Sequence, residues 1–93
     1  MHAVVVTVTI EDQSDEDARR GLEEQVVPRA KESPGFQRGV WLRHESGDRG
    51  TSVLAFDTEE NARQTAERLS ADGTPLAGVT IQSVDVYQVM AEA

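Results

Sequence analysis

Apolar and polar residues alternate from the first positions of the chain. Val4, Val6, Val8 and Ile10 share one parity, and Val5, Thr7 and Thr9 share the other. A period of two built from β-branched residues predicts a strand. Apolar character on both faces predicts a central one. The period then lengthens. In EDQSDEDARRGLEEQVVPRAKES, Ala18, Leu22, Val26 and Ala30 recur every fourth residue, the stripe of an amphipathic helix. Ser14 with Asp17 three positions on makes a capping-box-like start, and acids crowd the first turn, where the helix dipole favours them. Gly21 costs this helix up to about 1 kcal/mol relative to Ala. Pro28 lacks a backbone donor, so a kink or a helix end is expected beside it.

Ser33-Pro34-Gly35 stops the helix and turns the chain. FQRGVWLRHE then reads as a strand, with Val40, Leu42 and His44 on one parity and Gly39, Trp41 and Arg43 on the other. SGDRG is a turn cluster and TSVLAFD the returning strand of a hairpin. Asp57 with Glu60 predicts the N-cap of a second helix, whose stripe is Ala62, Ala66 and Leu69. SADGTPLAG reads as a loop and VTIQSVDVYQVMA as the last strand. In that strand Val79 and Ile81 are odd-numbered but Val84 and Val86 even, so the apolar phase slips near Ser83. A β-bulge, together with a strand that leans on another chain, would account for the slip.

The order is β-α-β-β-α-β over residues 1–93, an α+β ferredoxin-like domain with an antiparallel sheet and both helices on one face. The opposite face is expected to carry Val5, Thr7, Trp41 or its neighbours, Val53 and Tyr87. Left open to water, that face is an apolar patch too large to be idle. The chain has only four aromatic side chains among its 93 residues, and a thin core of this kind gains from sharing an interface.

Charge narrows the classes of partner. Seventeen acidic against nine basic residues give a net charge of −8, with no basic patch for nucleic acid or anionic lipid. With no Cys there is no disulfide, thiol nucleophile or Cys-based metal site, and two distant His make a poor zinc set. EDQSDED lacks the glycine and the spacing of a calcium loop, and GDRG precedes no helix that could hold a phosphate. AVVVTVTI reads as a strand rather than a signal peptide, and no apolar run nears the ~20 residues of a membrane span. A cytoplasmic protein that uses neither metal nor cofactor is expected.

The order of elements, SPGF at the entry to the second strand, Trp41 within it and FDTEENAR opening the second helix resemble the dimeric α+β barrel superfamily, in particular its small antibiotic-biosynthesis-monooxygenase-like branch. The resemblance implies a homodimer in which two sheets pack face to face, with a pocket between each sheet and its own helices. It also implies cofactor-free oxygenation of an apolar aromatic compound, or a non-catalytic accessory protein of the same fold. A haem-degrading branch relies on an Asn, a Trp and a His together. Here the sole Asn is Asn61, outside the first strand, and Trp41 and His44 have opposite parity.

Cofactor-free oxygenation needs a base, a stacking surface and a group that holds an anion. His44 is the candidate base, because an imidazole accepts a proton near neutral pH. Trp41 offers stacking and one N–H donor, although an interface or core anchor is the commoner role for such a residue. Arg43 and Arg38 are the candidate anion holders, and Tyr87 and His2 further ligand contacts. Alanines on both helix stripes either leave room for a ligand or let the helices sit close to the sheet.

Overall fold

In the computed structural model, which describes residues 1–93, the chain runs as β1 (His2–Ile10), α1 (Asp15–Gly21), a π-helical turn (Leu22–Val26), α2 (Val27–Lys31), β2 (Phe36–Arg43), β3 (Arg49–Phe56), α3 (Glu59–Asp72) and β4 (Val79–Gln88). The strands form one antiparallel sheet in the order β2-β3-β1-β4, so the β-branched first strand is internal, as its two apolar faces require.

Alternation divides the side chains between two surfaces. Val4 pairs with Leu54 on one side and Val86 on the other, and this row faces the helices. Val4, Val6, Leu54, Phe56 and Ala62 form the buried core, with Phe36, Val84 and Val86 packed around it. The Phe36 and Phe56 rings meet edge to face, centroids 6.0 Å apart at 76°, a geometry that sets the positive ring edge against the negative face.

The phase slip in β4 is a bulge. Thr7 pairs with Ser83 but Val8 with Ile81, so Gln82 is the extra residue, and Ile81 and Val79 return to the helix side opposite Val8 and Ile10. A second bulge lies in β2, where Phe36 pairs with Phe56 but Arg38 with Ala55. It places Phe36, Gly39, Trp41 and Arg43 on the helix side, opposite Phe56, Leu54, Ser52 and Gly50. Trp41 therefore does not lie on the open face. Its neighbours Val40 and Leu42 do, beside Val53 and Thr51.

The helix ends differ from expectation in detail. Ser14 caps α1 through its hydroxyl, which accepts from the Asp17 N–H at 3.1 Å. At α3 the cap is Thr58, accepting from the Asn61 N–H at 3.1 Å, whereas Asp57 accepts from the Asn61 side-chain amide at 2.9 Å. Helix α3 also runs on through Ser70, Ala71 and Asp72 before Gly73 ends it. Pro28 acts one turn earlier than a helix end would. An α-helix would press its ring against the carbonyl of Glu24. Instead the chain widens, and the Val27 N–H reaches back five residues to the Leu22 carbonyl. At Gly35 the backbone has φ +75°, and a Cβ there would fall 2.0 Å from Asp57 Oδ1, so only glycine joins α2 to β2 in this way.

Candidate functional site

The two helical arms meet the sheet differently. Ala62 is fully buried and Ala66 packs on the core, so α3 sits close to the strands. Ala18 and Ala30, on the first arm, instead line a cavity of about 480 Å³ between helices and sheet. Its floor is Val6, Val8, Ile10, Trp41 and Ile81; its roof is Leu22, Val26, Leu69 and Leu76. The π-helical turn supplies Leu22, Gln25 and Val26 to this roof, where such turns are often found at functional sites. A largely apolar cavity of this size with a few convergent polar groups has the character of a small-molecule site.

The polar lining is sparse, and its charged members are mostly cationic. Arg43 projects from the end of β2 and is well held. It donates to Asp15 Oδ1 at 2.8 Å, to the Gln13 carbonyl at 2.8 Å and to the Gly47 carbonyl at 2.8 and 3.0 Å. It thereby joins the loop before α1 to the β2–β3 turn. Arg29 and Arg68 line the cavity from α2 and α3, with Asp72, Gln13 and Gln25.

Of the residues singled out in the sequence, Trp41 and Arg43 come together on this cavity. The others do not line it. Arg38 and Tyr87 lie on the opposite face, Arg38 paired with Glu92 of the C-terminal segment and Tyr87 half-exposed. His44 follows Arg43 onto that opposite face. The Ser46 N–H donates to its Nδ1 at 3.0 Å, and Arg49 approaches its Nε2 at 3.1 Å. A neutral ring has one free lone pair, so it accepts from one of the two at a time. Around it, the hydrogen bond from the Ser46 hydroxyl, with smaller help from a backbone N–H and from the Arg49 charge, holds the Asp48 carboxyl below its ordinary range. These contacts make His44 part of the polar turn. His2 faces the helices, as its parity requires, but beside Glu59, with Nε2 3.8 Å from that carboxylate and Nδ1 buried without a partner.

Arg29 and Arg68 were not singled out from the sequence, because an arginine bordering an apolar helix stripe is ordinary for a solvated face. Gly39 was equally silent. A Cβ there would lie 3.0 Å from Trp41 Cη2 and 2.9 Å from Leu54 Cδ2, so the indole lies across the glycine. Gly39→Ala is expected to lift the indole and move it over the cavity floor. The check is the near-ultraviolet circular dichroism of this sole tryptophan, which should change while the far-ultraviolet spectrum does not.

The lining does not suit haem. It contains no His, Cys, Met or Tyr, the side chains from which haem iron takes its axial ligand. Nor does any cluster of three His, Cys, Asp or Glu side chains form elsewhere that could hold a metal ion, and no helix is long and apolar enough to cross a membrane.

No protein-family model matches the chain, and no curated protein matches it by sequence. Solved structures do match by shape. One is a dimeric ferredoxin-like protein from an uncultured marine organism, with TM-score 0.65 and 14% identity over 100% of this chain and 98% of that one. Another is an arginine-to-serine mutant of MhuD with two manganese protoporphyrin IX bound per active site, with TM-score 0.67 and 13% identity over 100% and 98%. A third is the haem degrader MhuD of Mycobacterium tuberculosis with two haems in its active site, with TM-score 0.53 and 24% identity over 97% and 98%. At such identities the likeness concerns the backbone and not the chemistry. The chain has a ferredoxin-like fold.

Proposed function

We propose that this protein is a homodimer that binds an apolar aromatic small molecule between its helices and its sheet. The observation that carries the reading is the cavity of about 480 Å³ floored by Trp41 and branched aliphatic side chains. An aromatic ring stacked on the indole would bury apolar area on both faces. The second copy would cover the opposite sheet face, where Val40 is 46% exposed, and Leu42 and Tyr87 are each 54% exposed, beside Val5 and Val53. The fold's likeness to a dimeric ferredoxin-like protein supports that arrangement.

The reaction we propose for this pocket is the one that the sequence resemblance implies, cofactor-free oxygenation. With 1-naphthol as a trial substrate, one dioxygen would be consumed, one of its atoms entering the ring as the second carbonyl of a naphthoquinone and the other leaving as water. The phenolic proton needs an acceptor. On the lining the Asp72 carboxylate is the group able to take that proton, while the amide oxygens of Gln13 and Gln25 and the hydroxyls of Thr51 and Ser52 can accept a hydrogen bond from the phenol. His44 has no contact with this cavity, so His44→Ala is expected to leave binding unchanged.

Calorimetric titration with 1-naphthol tests the binding, and an oxygen electrode tests the turnover. Ala18→Phe, which fills the cavity from α1, is expected to abolish the binding heat with the fold intact. Equal binding by this variant would place the ligand elsewhere. Binding without oxygen uptake would leave the accessory role.

A further inference from the structure

The chain carries nine basic and seventeen acidic residues, yet its pocket reverses that balance. Three arginines line the cavity (Arg29, Arg43 and Arg68) against a single acid, Asp72, a local charge of +2 in a molecule of −8. The three are not equally occupied. Arg43 is spent on Asp15 and two carbonyls. Arg29 has only a loose pairing with Asp72, at 3.9 Å. Arg68 has no carboxylate partner: its guanidinium donates to the Ser33 hydroxyl at 3.0 Å, and that hydroxyl is turned toward the Arg29 carbonyl at 3.3 Å. Ser33 is buried, 5% exposed, so this contact anchors one edge of the Arg68 fork and leaves its other N–H groups free.

Arg29 and Arg68 both stand exposed at the edge of the cavity, where their guanidinium groups border its apolar lining and stay open to a ligand's negative group. We propose that the ligand of this pocket is an aromatic acid: an apolar ring system on Trp41 and the aliphatic floor, with one carboxylate held by Arg68 and drawn further by Arg29. This deepens the pocket reading above and rests on it. Planar guanidinium matches a carboxylate in two parallel hydrogen bonds, which a lysine in the same place would not supply. The surrounding net charge of −8 repels any anion at a distance. Discrimination therefore comes from the short-range contact and not from steering.

The test is calorimetric titration of the intact protein with 2-naphthoate and with 2-naphthamide, which share shape and ring but not charge. The carboxylate is expected to bind about tenfold tighter, the scale of one charge-assisted hydrogen bond. Arg68→Met should remove most of that factor while leaving 2-naphthamide affinity as it was, and Arg68→Lys should retain part of it. Should Arg68→Met lose its helical circular dichroism, Arg68→Gln replaces it. Equal affinity for the two probes, or a preference that survives loss of the arginine, overturns the acid assignment alone. Failure of both probes to bind overturns the pocket reading and this inference with it.

Discussion

Phe56→Ala is expected to lower the melting temperature by roughly 15–30 °C. Phe56 is fully buried at the end of β3, between Phe36 on β2 and the helix side of β1. Truncation removes the edge-to-face partner of Phe36 and opens a cavity beside Ala62, which is also fully buried and too small to fill it. Phe→Ala changes at such sites cost about 3–5 kcal/mol, a large part of the 5–15 kcal/mol that holds a domain of this kind. Each kcal/mol moves the midpoint by about 4–8 °C in domains of up to 100 residues. Thermal unfolding followed by far-ultraviolet circular dichroism, at fixed protein concentration, is the measurement. A fall of under about 5 °C would show that the core closes around the gap and that the two helices are less tightly fixed than their packing implies.

Val53→Asp should act on assembly and leave the fold alone. Val53 pairs with Val5 on β1 and Val40 on β2, so it stands mid-row on the face away from the helices. In an isolated chain a carboxylate there meets water and costs little. Covered by a second sheet, two such groups, one from each copy, would be buried close together without partners. An unpaired buried charge costs several kcal/mol, enough to raise the dimer dissociation constant by more than about a thousandfold. Sedimentation equilibrium at micromolar concentration is expected to give a dimer for the natural chain and a monomer for the variant, with the same far-ultraviolet spectrum. A wild-type monomer, or a variant that still dimerises, would remove the sheet face from the assembly proposed here.

The order of elements was legible because periods of two and near four alternate cleanly, and the β4 bulge because its apolar residues change parity between Ile81 and Val84. The orientation of Trp41 was not. Phe36 shares parity with Val40 and Leu42, so a regular β2 would turn those residues inward and the indole outward. The bulge after Phe36 reverses this, and no apolar slip announces it, because Gln37, Arg38 and Gly39 carry no hydrophobic signal. Thr58 and Asp57 are both good capping residues in adjacent positions, and the backbone chooses between them. The π-helical turn left only Pro28 as its mark, and proline is compatible with several local solutions. The pocket arginines illustrate a different limit: their meaning lies in a charge balance across α2, α3 and β2 that exists only once those elements are assembled.

Both bulges fall in the outermost strands, β2 and β4, while the inner pair β1–β3 is regular. An edge strand is an open template for a further strand from another molecule, and a bulge spoils its spacing and increases its twist. Lateral growth of the sheet into ribbons or fibrils is therefore hindered at both margins at once. What the molecule leaves sticky is a surface and not a rim, which favours the proposed closed pair over an open-ended polymer.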